Sequence, residues 1–304
     1  MGVPVIQGEK TAGERFPGAV QTYCVEAMMQ DRKALQSGTS HFLGQNFARA
    51  SEIKFLDESN REVYAWTTSW GVSTRLIGGL LMTHSDDDGL VLPPKLASAH
   101  VVILPVIHKD ETRGQVLDYC TRLAGELRGV SYGGRPLVVE LDAREGRGGE
   151  KTWAWIKKGV PIRLEVGPRD IAADSVFVGR RDKGAKERFS LPRGQFVAQV
   201  GGILDEIQAG LLDRARRFRQ ENTRTIDLKD EFYAYFTPVN REKPEIHGGF
   251  ALSHWAGGRA EEEQLKNDLN VTLRCIPLTG QEEPGQCFFT GRPSSKRVVF
   301  AKAY

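Results

Sequence analysis

The stretch Val101-Val-Ile-Leu-Pro-Val106 is apolar without interruption, and the segments behind it decide the fold. A short β-branched run with no polar alternation suits a strand covered on both faces. Val116, Leu117, Cys120, Leu123 and Leu127 then recur at helical spacing across Arg113–Leu127. Pro136-Leu-Val-Val-Glu-Leu141 reads as strand and Lys151–Lys158 as helix, and Ile162-Arg-Leu-Glu-Val166 and Val176-Phe-Val178 read as strands. Strand and helix alternating at this pace build an α/β domain around a central sheet.

Upstream, residues 1–98 alternate short β-like runs with glycine-rich turns. Ser51–Leu56 and Val63–Thr68 read as antiparallel strands flanking a turn at Asp57–Arg61, and Thr22–Met29 reads as a helix ended by Asp31-Arg32-Lys33. Leu76–Met82 is apolar and fits either strand or helix on pattern alone. Leu90-Val-Leu-Pro-Pro-Lys-Leu96 is a stiff, proline-marked exit, so a boundary falls just after it. Downstream, Val197, Val200, Leu204, Ile207, Leu211 and Phe218 mark one long helix whose other faces carry Arg214, Arg216, Arg217 and Arg219. Gly248-Gly-Phe-Ala-Leu252 and Arg297-Val-Val-Phe-Ala301 read as strands of a small closing α/β unit.

The chain of 304 residues is long enough for two or three domains, and 40% hydrophobic with 27% charged residues allows buried cores. No apolar run approaches a membrane span, and the first ten residues lack the form of a secretory signal. Four scattered cysteines (Cys24, Cys120, Cys275 and Cys287) point to reduced thiols and a cytoplasmic protein. Net charge is +3, and Lys151–Arg193 concentrates the excess, with 11 basic residues against 5 acidic ones. Such a regional surplus suits a polyanionic partner or a solvated face equally.

Two blocks carry the chemistry: Ala34-Leu-Gln-Ser-Gly-Thr-Ser-His-Phe-Leu-Gly-Gln-Asn-Phe47 and Ser69-Trp-Gly-Val-Ser-Thr-Arg-Leu-Ile-Gly-Gly-Leu80. Small residues let the backbone approach a ligand, and Gln36, Thr39 and His41 can orient it. Arg75 offers the planar fork that grips a phosphate. By itself His41 is more often a hydrogen-bonded core residue than a ligand group, and Arg75 is at least as often a structural ion-pair partner as a phosphate clamp. Asp86-Asp87-Asp88 reads as a solvated turn, because consecutive acids point in different directions. Gly146-Arg-Gly-Gly-Glu-Lys151 is rich in glycine but lacks the spacing of a phosphate loop.

The two blocks resemble the ATP and proline site of prolyl-tRNA synthetases of the archaeal and eukaryote-like form, the second as motif 3 of a class II synthetase. The resemblance extends collinearly through Gly8–Ala19, Met82–Pro94, Gly159–Asp170 and the closing Phe300-Ala-Lys-Ala-Tyr304. It implies an α+β catalytic half with an antiparallel sheet over 1–98, an α/β anticodon-binding domain over 99–195 and a small α/β C-terminal domain over 196–304. It also implies ATP-dependent ligation of L-proline to tRNA(Pro) through a prolyl-adenylate, with ATP and Mg2+. Gln36, Thr39, Ser73 and Thr74 would meet the nucleotide, Arg75 its terminal phosphates, and Phe16, His41, Ser69 and Gly71 the proline. Activation is attack of the proline carboxylate on the α-phosphate, so positioning and charge stabilisation suffice without a protein nucleophile.

By the same resemblance Lys151, Arg163, Glu165 and Arg169, with Arg144 a further cation nearby, would contact the anticodon. Arginine fits the O6/N7 edge of guanine and a carboxylate accepts from its N1–H and N2–H, and the proline anticodon holds two guanines. The alternative is that Arg163 and Glu165, two apart on a strand, pair with each other. Tyr304 would reach toward the active site.

The resemblance begins partway through the family's catalytic domain. Motif 1, which builds the dimer interface, and motif 2, which brings an arginine to the α-phosphate, would precede Met1. The full-length family member is expected to be a homodimer, and this chain alone is expected to be a truncated, poorly active form. The alternative is a non-catalytic tRNA-binding or regulatory module. The family's zinc site is expected to be lost: Thr290 follows Cys287 where a second thiolate belongs, and Ala256 and Glu261 stand at the other pair.

Overall fold

The computed structural model describes residues 1–146, 148–240, 248–280 and 282–304. Its first elements are β1 (Val5–Glu9), β2 (Gln21–Met28), β3 (Ala34–Gly44), β4 (Thr67–Gly71) and α1 (Arg75–His84). Next come β5 (Val101–Pro105), α2 (Arg113–Arg128), β6 (Val139–Leu141), α3 (Gly148–Lys157), β7 (Ile162–Val166), α4 (Pro168–Ala172), β8 (Ser175–Arg180) and β9 (Arg188–Pro192). The long α5 (Arg193–Glu221) leads to β10 (Thr223–Thr225), α6 (Lys229–Phe236), β11 (Phe250–His254), α7 (Arg259–Leu269), β12 (Thr272–Pro277) and β13 (Arg297–Ala301). Helix and strand are mixed throughout, as an α/β chain requires. No helix among the described residues is long and apolar enough to cross a membrane.

Two compact units form: Met1–Val3 with His84–Ala215, and Pro4–Thr83 with Arg216–Tyr304. The first unit is built on the sheet β6-β5-β7-β8-β9, parallel at β6-β5-β7 and antiparallel beyond. Alternation along β5 assigns its two faces. Val101 and Ile103 pack with Val116, Cys120 and Leu123 of α2 and with Phe196, Val200 and Leu204 of α5, whereas Val102 and Leu104 pack with Trp155 of α3. The all-buried pattern of β5 follows from this double cover. At the start of the unit, Asp86 accepts two bonds from the Arg181 guanidinium, which hold its carboxyl below the usual carboxylate range. Asp86 thus acts as an ion-pair acceptor, and Asp88 caps the turn by donating its N–H to Asp86.

The second unit is built on one eight-stranded sheet, β10-β11-β13-β12-β1-β2-β3-β4. The opening segment (β1 to β4) and the closing segment (β10 to β13) join where β1 pairs antiparallel with β12, Gly8 opposite Pro277 and Glu9 opposite Ile276. Gly8 is required there, because a Cβ at that position would lie 2.4 Å from the Cys275 Cβ. Behind the closing strands, Phe232, Phe288 and Phe300 form an aromatic core with ring centroids 4.2 to 5.6 Å apart.

Thr22–Met29 is strand β2 and not a helix. Its Thr22, Cys24 and Glu26 are buried in alternation, and Asp31-Arg32-Lys33 is the hairpin turn to β3, with Arg32 at a φ of 65°. The 51–68 hairpin forms with shorter arms, Lys54–Leu56 against Glu62–Tyr64. Leu76–Met82 lies in helix α1.

Candidate functional site

One irregularity assembles the site in the second unit. Along β2 and β3, Val25 opposes Gly38 but Glu26 opposes Gln36, so Ser37 bulges out of the ladder. Directly opposed residues share a face of the sheet. His41 therefore lies with Thr22 and Ser69, Thr39 with Cys24 and Gly71, and Gln36 with Glu26. In an unbulged strand Gln36, three before Thr39, would face the other way. The bulge thus puts Gln36, Thr39, His41, Ser69 and Gly71 on one face, where Gln36, Thr39 and His41 are half-buried and Ser69 and Gly71 exposed.

Phe16, on the loop after β1, lies against that face with its ring centroid 4.7 Å from the His41 ring, and Phe47 stacks behind it at 6.3 Å. The Thr22 hydroxyl accepts from the Phe16 N–H at 3.3 Å and lies 3.0 Å from His41 Nδ1. The Thr22 contact occupies His41 Nδ1, which leaves His41 Nε2, with no partner among the described residues, available to a ligand. Arg75 is the first residue of α1. Its N–H donates to the Ser73 hydroxyl at 3.3 Å, and its Nη1 donates to the Gln36 carbonyl at 3.3 Å. Thr74 starts the helix by accepting from the Ile77 N–H. The guanidinium is exposed and has no carboxylate partner among the described residues, so its fork remains available to an anion. Ser73, Thr74 and Arg75 thereby meet Gln36 at the end of the face opposite to His41 and Phe16.

On the same face, at the β12 side, Glu26 accepts from Lys10 Nζ at 3.0 Å and from the Arg274 guanidinium at 3.1 and 3.2 Å. This cluster ties β2 to the loop after β1 and to β12. Thr22 and Glu26 escape the sequence reading because Thr22–Met29 reads there as a helix; the alternation of Thr22, Cys24 and Glu26 is the signal that finds them.

In the first unit, Arg163 on β7 is only 3% exposed, and its Nε and Nη1 have no partner among the described residues. Burial lowers its guanidinium to about 10, and the Arg188 and Arg181 charges push in the same direction. Gly179 across the ladder makes room for it: Arg163 Nη2 lies 3.1 Å from where a Cβ would sit. Glu165 does not pair with Arg163; it accepts from Arg188 Nη1 at 2.8 Å. Arg169 is exposed on α4, just past the carboxyl end of β7. Lys151 lies across β5 from these three. It donates to the carbonyls of Asp142 and Arg144 at 3.3 and 3.0 Å, while Arg144 forms a two-pronged pair with Asp142 at 2.8 and 2.6 Å. Arg144, and after it the Trp155 indole N–H, hold the Asp142 carboxyl well below the usual carboxylate range. The structure thus groups Arg163, Glu165 and Arg169 and sets Lys151 and Arg144 apart. Arg188, absent from the sequence reading, joins the first group through the alternation of Arg188-Phe-Ser-Leu.

Cys287 accepts from the Thr290 N–H at 3.4 Å. Burial raises this thiol, but hydrogen bonds from Thr290 and from the Ala256 backbone outweigh it and leave it lowered. No group of three or more His, Cys, Asp or Glu gathers in metal-binding geometry among the described residues. Tyr304 docks on the β2–β3 turn: its N–H donates to the Ala34 carbonyl at 3.3 Å, its hydroxyl donates to Asp31, and Lys33 lies over its ring at 4.9 Å. Burial, with Asp31, pushes the phenol up to about 12.

Residues 100–200 match the family model of the anticodon binding domain, and residues 241–304 match that of the C-terminal domain of prolyl-tRNA synthetase. The whole chain aligns with a proline–tRNA ligase 2 of Anaeromyxobacter dehalogenans at 62% identity over 308 residues. It aligns with proline–tRNA ligases of Bdellovibrio bacteriovorus at 54% and Protochlamydia amoebophila at 53%. In each case the chain spans 60% of the relative's length.

Proposed function

This chain belongs to the prolyl-tRNA synthetase family, and from that premise we propose that it supplies the nucleotide and proline face, together with the RNA-binding domain, of an ATP-dependent proline–tRNA ligase. The observation that carries this reading is the shared face created by the Ser37 bulge, with Phe16 and His41 at one end and Arg75 at the other. Phe16 walls the flat pyrrolidine ring, and His41 Nε2, Ser69 and Gly71 orient the imino acid. Gln36 and Thr39 hold the adenosine, with Ser73 and Thr74 beside it.

The residues suit ATP. Arg75 has an exposed fork without a competing carboxylate among the described residues, and a charge-assisted hydrogen bond of this kind contributes about 1.5–3 kcal/mol. Mg2+ would be carried chiefly by the phosphates, as is usual for a cation that keeps its waters. In the first step the proline carboxylate oxygen bonds to the α-phosphorus as the bond to pyrophosphate breaks. In the second, a ribose hydroxyl at the tRNA 3′ end takes the prolyl group and AMP leaves. The protein's part is to align the carboxylate and to offset charge on the departing pyrophosphate. Arg163, Glu165 and Arg169, with Arg188 beside them, read the anticodon of tRNA(Pro); Lys151 serves the RNA from across the sheet.

The test is proline-dependent ATP–pyrophosphate exchange by this chain alone, and by the chain mixed with the portion of the Anaeromyxobacter relative that it does not span. Near-background exchange alone and a proline-specific gain with the added portion are expected. Exchange with another amino acid but not proline, or none in either arm from folded protein, would sink the proposal.

A further inference from the structure

Phe16 is carried by the loop after β1, residues 10–20, and its place over His41 depends on how that loop is held. Both roots are fixed in the sheet: the Lys10 N–H donates to the Thr22 carbonyl at 2.8 Å and the Val20 N–H to the Phe42 carbonyl at 2.8 Å. Near the second root, Asn46 Nδ2 donates to the Gly18 carbonyl at 2.9 Å. The Phe47 ring lies 2.9 Å from where a Gly18 Cβ would sit, and Gly18 has a φ of 87°, so glycine is needed there. This end of the loop is held by residues that follow β3.

The other end is held from the closing segment. Glu262 lies in the first turn of α7, and its Oε2 accepts from the Thr11 hydroxyl at 3.4 Å. The same oxygen lies 2.6 Å from where a Gly13 Cβ would sit, so the carboxylate occupies the space that a side chain at 13 would need. Among the described residues, nothing else outside the loop hydrogen-bonds to residues 11–15. The neighbouring Glu261 is committed elsewhere, to the Gly258 N–H at 2.8 Å and to Arg292 at 3.1 Å, while Leu265 and Leu269 root α7 in the aromatic core. Glu262 is half-buried, and burial raises its carboxyl above the usual range, with the Thr11 hydroxyl opposing and Glu14 reinforcing the rise. It forms no ion pair among the described residues, so a salt bridge does not account for keeping this acid partly out of water.

We propose that Glu262 is a positioning residue for the proline end of the face: it seats residues 11–13 against α7 and so fixes the Phe16 ring 4.7 Å from the His41 ring. Glu262 itself touches no substrate. The proposal rests on the reading of Phe16 and His41 as the proline pocket, and it gives the closing segment a part in amino-acid binding.

The experiment compares Glu262→Ala and Gly13→Ala, singly and together, with Glu262→Gln and with Glu263→Ala, an exposed acid one position along α7. In the full chain alone, hydrogen exchange is followed at the amides of Phe16 and Ala19, which donate to the Thr22 hydroxyl and the Phe16 carbonyl. In the chain mixed with the portion of the Anaeromyxobacter relative that it does not span, KM values for proline and ATP are read from pyrophosphate exchange. Glu262→Ala should speed both amides about tenfold and raise the KM for proline about tenfold, with the KM for ATP and the melting temperature unchanged. Gly13→Ala should do the same by displacing the flexible carboxylate, and the double variant should be no worse than either single one, since all three lose one contact. Glu262→Gln, which still accepts from Thr11, should behave as wild type, and so should Glu263→Ala. Unchanged amides or an unchanged proline KM in Glu262→Ala would overturn the proposal, as would additive single effects or an equal rise in the KM for ATP. A wild-type mixture without proline-dependent exchange would sink the proline-pocket reading and this proposal with it. A proline-dependent wild type beside an indifferent Glu262→Ala would sink the positioning role alone.

Discussion

Replacing Glu26 by glutamine removes one negative charge from a place where two cations depend on it. The carboxylate is fully buried, Lys10 is 3% exposed and Arg274 8%. Lys10 Nζ also donates to the Arg274 carbonyl at 2.5 Å, and Arg274 Nη1 to the Thr272 hydroxyl at 2.9 Å, so neither cation can swing into solvent without breaking further bonds. Glutamine preserves shape, which removes cavity formation from the effect. It leaves an ammonium and a guanidinium in low dielectric and turns an amide NH2 toward donors. Breaking a buried ion pair in this way costs about 3–5 kcal/mol, a large share of the ~5–15 kcal/mol that holds a domain together. At roughly 2–4 °C per kcal/mol for a unit of this size, the melting temperature should fall by about 6–20 °C. Urea titration with hydrogen exchange is the assay, and protection should be lost in β2 and β12 together, and at Gln36 of β3, which opposes Glu26. A triple replacement, Lys10→Met, Glu26→Leu and Arg274→Met, should recover most of the loss, since apolar groups of similar volume substitute well for buried ions. A loss below about 1 kcal/mol for Glu26→Gln, the value of an exposed pair, would refute the claim that the cluster is dry.

Three further outcomes are expected. His84 is buried and its imidazole is lowered from 6.5 to about 4, by burial first, with Arg214 and the Met1 amino group also opposing its charge while its Nε2–H donates to the Met1 carbonyl. The unfolded chain therefore takes a proton below about pH 6.5 that the folded chain refuses until about pH 4, so stability should fall on acidification through that window, by roughly 2–3 kcal/mol, and stay flat above it. His84→Gln should flatten the slope in urea titrations at stepped pH. Arg163→Met should raise stability by about 1–3 kcal/mol, because it removes a buried charge with unpartnered N–H groups, yet weaken binding of an RNA hairpin carrying the proline anticodon about tenfold or more and relax the preference over the same hairpin with a scrambled loop; calorimetry and hairpin titration read the two effects. Arg75→Ala should leave stability within about 0.5 kcal/mol, because the side chain is exposed, and reduce ATP affinity by about 10-fold or more; unchanged nucleotide binding would remove Arg75 from the phosphate role.

The α/β sheet of the first unit was legible because burial on both faces leaves a continuous apolar run in β5, and a run of that kind does not depend on remote partners. β2 was misread for the opposite reason. Its buried face carries Thr22, Cys24 and Glu26, and a carboxylate reads as solvent-facing until Lys10 and Arg274 are known to meet it. Arg274 lies far along the chain, so no local window contains the information. The same holds for the joining of the opening and closing segments in one sheet, which rests on a short β1–β12 pairing and on the missing side chain of Gly8. At the candidate site, residue types were legible and geometry was not. Strand periodicity places Gln36 on the opposite face to Thr39 and His41, and only an unpaired Ser37 restores it. Likewise the two-residue spacing of Arg163 and Glu165 suggests a pair, whereas the fold supplies Arg188 to Glu165 and leaves Arg163 Nε and Nη1 in the interior without a partner among the described residues. A bulge and an unpartnered buried guanidinium both run against local economy, and natural chains tend to tolerate such departures where binding requires them. These two places, where the local rules fail, are also the two that the proposed adenylate face and the proposed RNA-reading group need.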